Sequence, residues 1–74
     1  MTAKTHAERI ATLRAAIARS GLSDRRFATR VLTRNERTLR RWVSGERPIP
    51  NEVLQSRWIR DPIPREVLDW LDAE

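Results

Sequence analysis

The stretch LSDRRFATRVLTRNERTLRRWVSGERP, residues 22–48, decides how this chain is read. Phe27, Ala28, Val31 and Leu32 recur at helical spacing behind Ser23, a residue type whose side-chain oxygen caps helix N-termini. The pattern predicts a helix over about 23–32, with Arg26, Thr29 and Arg30 facing outward. Thr33-Arg34-Asn35 is a short polar turn. Asn35 is a second good N-cap, and it opens a helix predicted over about 35–44 that Gly45 ends in the left-handed conformation. Thr33 and Glu36 form a competing T-x-x-E capping box, which would start that helix two residues earlier. Within it, Leu39, Trp42 and Val43 cluster on one side. At about 100° per residue, Arg37, Arg41 and Ser44 lie about 140° to about 200° from Leu39, and Arg40 flanks them. Trp42 shares the Leu39 face and is read as core.

Helical spacing also dominates outside this stretch. Thr5 and Glu8 make a capping box for a first helix over about 5–20, and Gly21 is its C-terminal stop. Ile10, Leu13 and Ile17 form its core stripe. Glu46-Arg47-Pro48-Ile49-Pro50 is an extended loop held by two prolines. A fourth helix is expected from Asn51, with Val53, Leu54, Trp58 and Ile59 apolar, until Asp61-Pro62-Ile63-Pro64 breaks it. A fifth covers about 64–72 with Pro64 in its first turn; Val67, Leu68 and Leu71 face inward and Trp70 widens the stripe. Strand signals are nearly absent. The expectation is an all-α fold, a compact bundle of about five short helices forming one domain over 1–74.

Charge is distributed unevenly. The 74 residues carry 15 Lys and Arg against 10 acids, a formal net charge of +5. Residues 1–21 carry +3, residues 22–47 carry +5 and residues 48–74 carry −3. Only Lys4 is lysine; every other basic residue is arginine, whose planar fork suits phosphates and guanine edges. A basic middle third of this density points to an anionic partner, nucleic acid first. The plainer readings are a solvated charged surface or an arginine-biased coding composition.

Leu22-Ser23-Asp24-Arg25-Arg26-Phe27-Ala28, followed by Arg37-Thr38-Leu39-Arg40-Arg41-Trp42-Val43-Ser44-Gly45-Glu46-Arg47-Pro48, resembles the Cro/CI (Xre-like) helix-turn-helix family of phage and bacterial regulators. The resemblance spans about residues 10–50. It implies a lambda-repressor-like fold and sequence-specific binding of double-stranded DNA, usually as a homodimer on an inverted repeat. The sequence departs from the family pattern in three places. Leu32-Thr33-Arg34 replaces the usual glycine of the turn, the stretch from Ala28 to Trp42 is one residue longer than usual, and Asp24 stands where glutamine is common. Asp24 suits the positive N-terminus of a helix, and Arg25 or Arg26 takes over the phosphate contact expected of that glutamine.

On this reading the base-reading residues are Arg37, Arg41 and Ser44, with Arg40 at the groove edge. Phosphate contacts fall to Arg26, Arg30, Arg34, Thr38 and Arg47, with Asn35 a further candidate. Glu36 is open between accepting from a cytosine amino group and favouring its own helix dipole. Residues 51–74 complete the core and carry an expected dimer contact through Trp58, Ile59, Val67, Trp70 and Leu71, because Trp is enriched at interface hot spots. The alternatives are that these residues only finish the monomer core, or that they recognise another protein.

Composition also excludes much. Cysteine is absent and His6 is the single histidine, so disulfides, thiolate metal sites and a cysteine nucleophile are ruled out. There is no phosphate-binding glycine loop, so an enzyme is not expected, nor a cofactor. No apolar run is long enough to span a membrane, and Met1-Thr2-Ala3-Lys4 lacks a signal core; a cytoplasmic, nucleoid-associated protein is expected. A small-molecule effector is not expected in so short a chain. The function expected is an autorepressor of a phage or mobile element, by analogy antitoxin-like or anti-CRISPR-associated. The competing expectation is a protein-interaction adaptor that uses the same fold without reading DNA. RNA binding lacks an aromatic stacking platform.

Overall fold

Thr5 caps the first helix. Its Oγ1 accepts from the Glu8 amide at 3.2 Å and starts α1, His6–Ser20. A computed structural model describes residues 5–73. Lys4 and Glu74, which count toward the charge, lie outside them. Gly21 ends α1 at φ 73°, a left-handed residue that carries no Cβ penalty. Buried Ser20 turns the chain locally: its hydroxyl donates to the Ile17 carbonyl and its oxygen accepts from the Leu22 amide.

Ser23 then caps α2, Asp24–Arg26, accepting from the Arg26 amide at 3.2 Å. The helix continues as a π-helical turn, Phe27–Val31, which the sequence pattern did not predict. Its closing bond runs from the Leu32 amide to the Phe27 carbonyl, and the Arg34 amide reaches back six residues to the Ala28 carbonyl at 2.8 Å. A π turn holds one residue more than an α turn. The segment between Ala28 and Trp42 therefore contains a widened helical turn as well as the turn at Thr33. Thr33 occupies the turn's left-handed position at φ 52°, where a glycine is usual.

Asn35 caps α3, Glu36–Val43, through an Oδ1 contact to the Arg37 amide at 2.8 Å. This settles the choice between the two caps. The Thr33 hydroxyl donates to the Leu32 carbonyl instead. Gly45 follows at φ 84°, and a Cβ there would stand 3.6 Å from the His6 ring and from Ile10.

The region expected as one helix from Asn51 to Ile59 is two: α4, Asn51–Leu54, and α5, Arg57–Arg60. Val53 and Ile59 are both 3% exposed. Six residues apart on one continuous helix, they would point about 120° away from each other. The break at Gln55-Ser56 lets both enter one core. Pro64 precedes α6, Arg65–Asp72, as its cap, one position earlier than the first-turn place expected. Among the described residues there are thus six α-helical segments, not five, and no strand.

α1 packs on α3, α4 and α5, while α2 and the π turn pack on α3; α6 lies against the π turn. Leu13, Phe27, Leu39 and Ile49 are the largest fully buried side chains, joined by Ala28, Leu32 and Trp42. Three side chains of α1 anchor the second half of the chain. His6 Nε2 lies 3.3 Å from the Gly45 carbonyl, Arg9 donates to the Ile49 carbonyl, and Arg19 donates to the Ile59 and Asp61 carbonyls. No buried side-chain polar atom among the described residues lacks a partner. No described helix is long and apolar enough to cross a membrane.

Candidate nucleic-acid interface

α3 divides its surface sharply. Leu39 is fully buried and Trp42 is 5% exposed, so one side is locked into the core by α1, α2 and the π turn. Arg37, Arg40 and Ser44 are exposed and Arg41 is half-buried on the other side. A helix seated so firmly fixes which side chains face outward, although the arginine side chains themselves must still be ordered on contact.

The predicted residues separate by their present partners. Arg30, Arg37, Arg41 and Arg47 form no ion pair among the described residues. Arg41 and Arg47, predicted for different roles, stand on one open groove with Thr38, Trp42 and Pro48. The Arg47 amide donates to the Arg41 carbonyl at 3.1 Å, which ties the loop to the end of α3. Thr38 is half-buried in the wall of this groove.

Other predicted residues are already engaged. Arg40 Nη2 lies 3.1 Å from Glu36 Oε2, one helical turn back. Glu36 thus stands in the first turn of α3 and orients Arg40 as well. Ser44 is the C-cap of α3, and its hydroxyl donates to the Arg41 carbonyl, leaving only its lone pairs for an outside donor. Arg34 pairs with Glu52 of α4 at 3.0 Å. Arg26 is half-buried; its guanidinium lies 3.3 Å from the Asp72 carboxylate and also donates to the Asp72 carbonyl at the end of α6. A second groove at the start of α2 is lined by Ser23, Arg25, Arg26, Thr29 and Arg30. Arg25, expected with Arg26 as an alternative phosphate contact, belongs to this wall.

The C-terminal residues fall into three classes. Ile59 is corrected: it is 3% exposed, held in the core of the single chain, and unavailable to a partner. Trp58, Val67 and Leu71 are half-buried, with the Arg57 guanidinium 4.8 Å from the Trp58 ring centroid. Trp70 is 75% exposed. No group of His, Asp and Glu able to hold a metal ion occurs among the described residues.

The acids that hold Arg26 and Arg34 were not singled out in the sequence. The signal that points to them is the net charge of −3 over residues 48–74 beside a middle third of +5. Comparison with family models, with curated proteins and with solved structures finds no match to this chain.

Proposed function

We propose that this chain is a sequence-specific regulator that binds double-stranded DNA, with α3 entering the major groove. One observation carries the reading: α3 is fixed by buried Leu39 and Trp42 and turns Arg37 and Arg41, neither of them ion-paired among the described residues, to the outside. A major groove about 12 Å wide admits one helix, and arginine pairs bidentately with guanine O6 and N7. Arg30 and Arg47 flank α3 as phosphate contacts, which carry affinity without base choice. Half-sites richer in G·C than in A·T follow from an arginine-based reader.

A dimer completes the proposal. Its contact uses Trp70 with the half-buried Trp58, Val67 and Leu71, and two copies would read half-sites about 10 bp apart, centre to centre. Such a dimer represses by occluding polymerase. The second reading, a protein-interaction adaptor, is favoured by one feature, the 75% exposure of Trp70 on an acidic helix.

Selection from a randomised duplex pool at about 150 mM salt tests the proposal, since non-specific electrostatic binding weakens steeply as salt rises. An enriched inverted repeat is the expected result. A single enriched half-site would remove the dimer, and no enrichment would remove sequence reading.

A further inference from the structure

Two arginines, Arg26 in α2 and Arg34 in the turn between the π turn and α3, are held by acids from distant elements. Arg26 lies against Asp72 at the end of α6, and Arg34 against Glu52 at the start of α4. Neither acid is sequence-local to its partner; 46 and 18 residues separate the pairs. The carboxylates are exposed, Asp72 with 61% of its side chain and Glu52 with 72%. Ion pairs in water contribute little to stability, because solvent screens them and both side chains lose freedom. What such a pair does is occupy the guanidinium for part of the time. A carboxylate and a phosphate oxygen make the same charge-assisted contact with arginine. The acid therefore stands where a backbone phosphate would.

We infer that Glu52 and Asp72 are internal counter-anions, which compete with DNA phosphates for Arg34 and Arg26 and so lower the affinity of the chain for any duplex. The inference rests on the DNA-binding reading above. It also gives a use to the acidic third of the chain. Arg30, Arg37, Arg41 and Arg47 of the basic patch have no such acid among the described residues. Arg40 is paired too, but with Glu36 of its own helix; only Arg26 and Arg34 are held by acids from distant elements among the described residues. Because phosphates carry no sequence information, the restraint acts on operator and random DNA alike. Glu52 and Asp72 are positioning residues and need not touch DNA.

The test measures binding of the full chain to a random-sequence duplex and to the selected duplex at fixed salt, by fluorescence anisotropy. Glu52→Gln and Asp72→Asn should each tighten binding about twofold to fivefold, the worth of one exposed ion pair. Asp69→Asn removes the same charge from α6 and releases no arginine; it should gain less. In an Arg26→Ala background, Asp72→Asn should gain no more than Asp69→Asn does. A gain in affinity cannot come from misfolding, so damaged variants do not imitate the result. If the parent binds duplex and neither substitution tightens it, or Asp69→Asn gains as much, the counter-anion role is overturned and DNA binding stands. If neither parent nor variants bind any duplex, both readings fall.

Discussion

Thr33 offers the sharpest test of the turn that sets the direction of α3. It is a β-branched residue at φ 52°, in the region left-handed for helices. An L-residue other than glycine loses about 1–2 kcal/mol there, from the approach of Cβ to the following carbonyl. Glycine removes that contact but has more freedom to lose on folding, roughly 0.4–1 kcal/mol. The Thr33 hydroxyl bond to the Leu32 carbonyl is local and the residue is exposed, so water replaces it at little loss. The two bonds that close the turn, from the Leu32 and Arg34 amides, involve no Thr33 atom and survive the change. Thr33→Gly should therefore stabilise the fold by about 0.5–1 kcal/mol. For a domain of this size that raises Tm by roughly 2–8 °C. Circular-dichroism melts with matched urea unfolding measure it, and an unchanged urea slope confirms that the folded and unfolded states are otherwise the same. Thr33→Val should not gain, since it keeps the branched Cβ. A Tm for Thr33→Gly equal to or below the parent's would show that the turn stores no strain.

Three further outcomes are expected. Arg41→Ala should weaken the selected duplex by about 1–3 kcal/mol and relax one base position, measured by anisotropy titrations across single-base variants; equal loss on random DNA would move Arg41 to the phosphates. Arg47→Ala should weaken selected and random duplexes alike and flatten the dependence of log K on log salt by about 0.9, and a loss confined to the selected duplex would contradict the phosphate role. Trp70→Ala should leave Tm at low concentration nearly unchanged, because the ring is 75% exposed, yet shift a sedimentation dilution series toward monomer; a parent that stays monomeric at tens of micromolar, with and without DNA, removes the dimer.

Capping and periodicity are local effects, and they were legible residue by residue. Thr5, Ser23 and Asn35 cap the helices that follow them, as their side chains dictate, and Gly21 and Gly45 take the left-handed stops. Leu13, Phe27, Leu39 and Trp42 are buried because each lies on the apolar stripe of its own helix. The division of α3 into a core side and an arginine side is a property of 100° spacing and needs no partner to be seen.

Other features depend on what lies across the fold. The π turn at Phe27–Val31, packed against α3 and α6, and the left-handed Thr33 have no local signature. The break at Gln55-Ser56 arises because one core must receive both Val53 and Ile59, which took Ile59 out of reach of any partner. Nothing in the sequence singles out Arg9 and Arg19 from the other arginines, yet they hold carbonyls 40 residues away. The same holds for Arg26 and Arg34: the sequence by itself determined only that these positions are cationic. Only tertiary packing decided that Asp72 and Glu52 are the anions they meet, because a guanidinium takes whatever carboxylate the fold brings within about 4 Å.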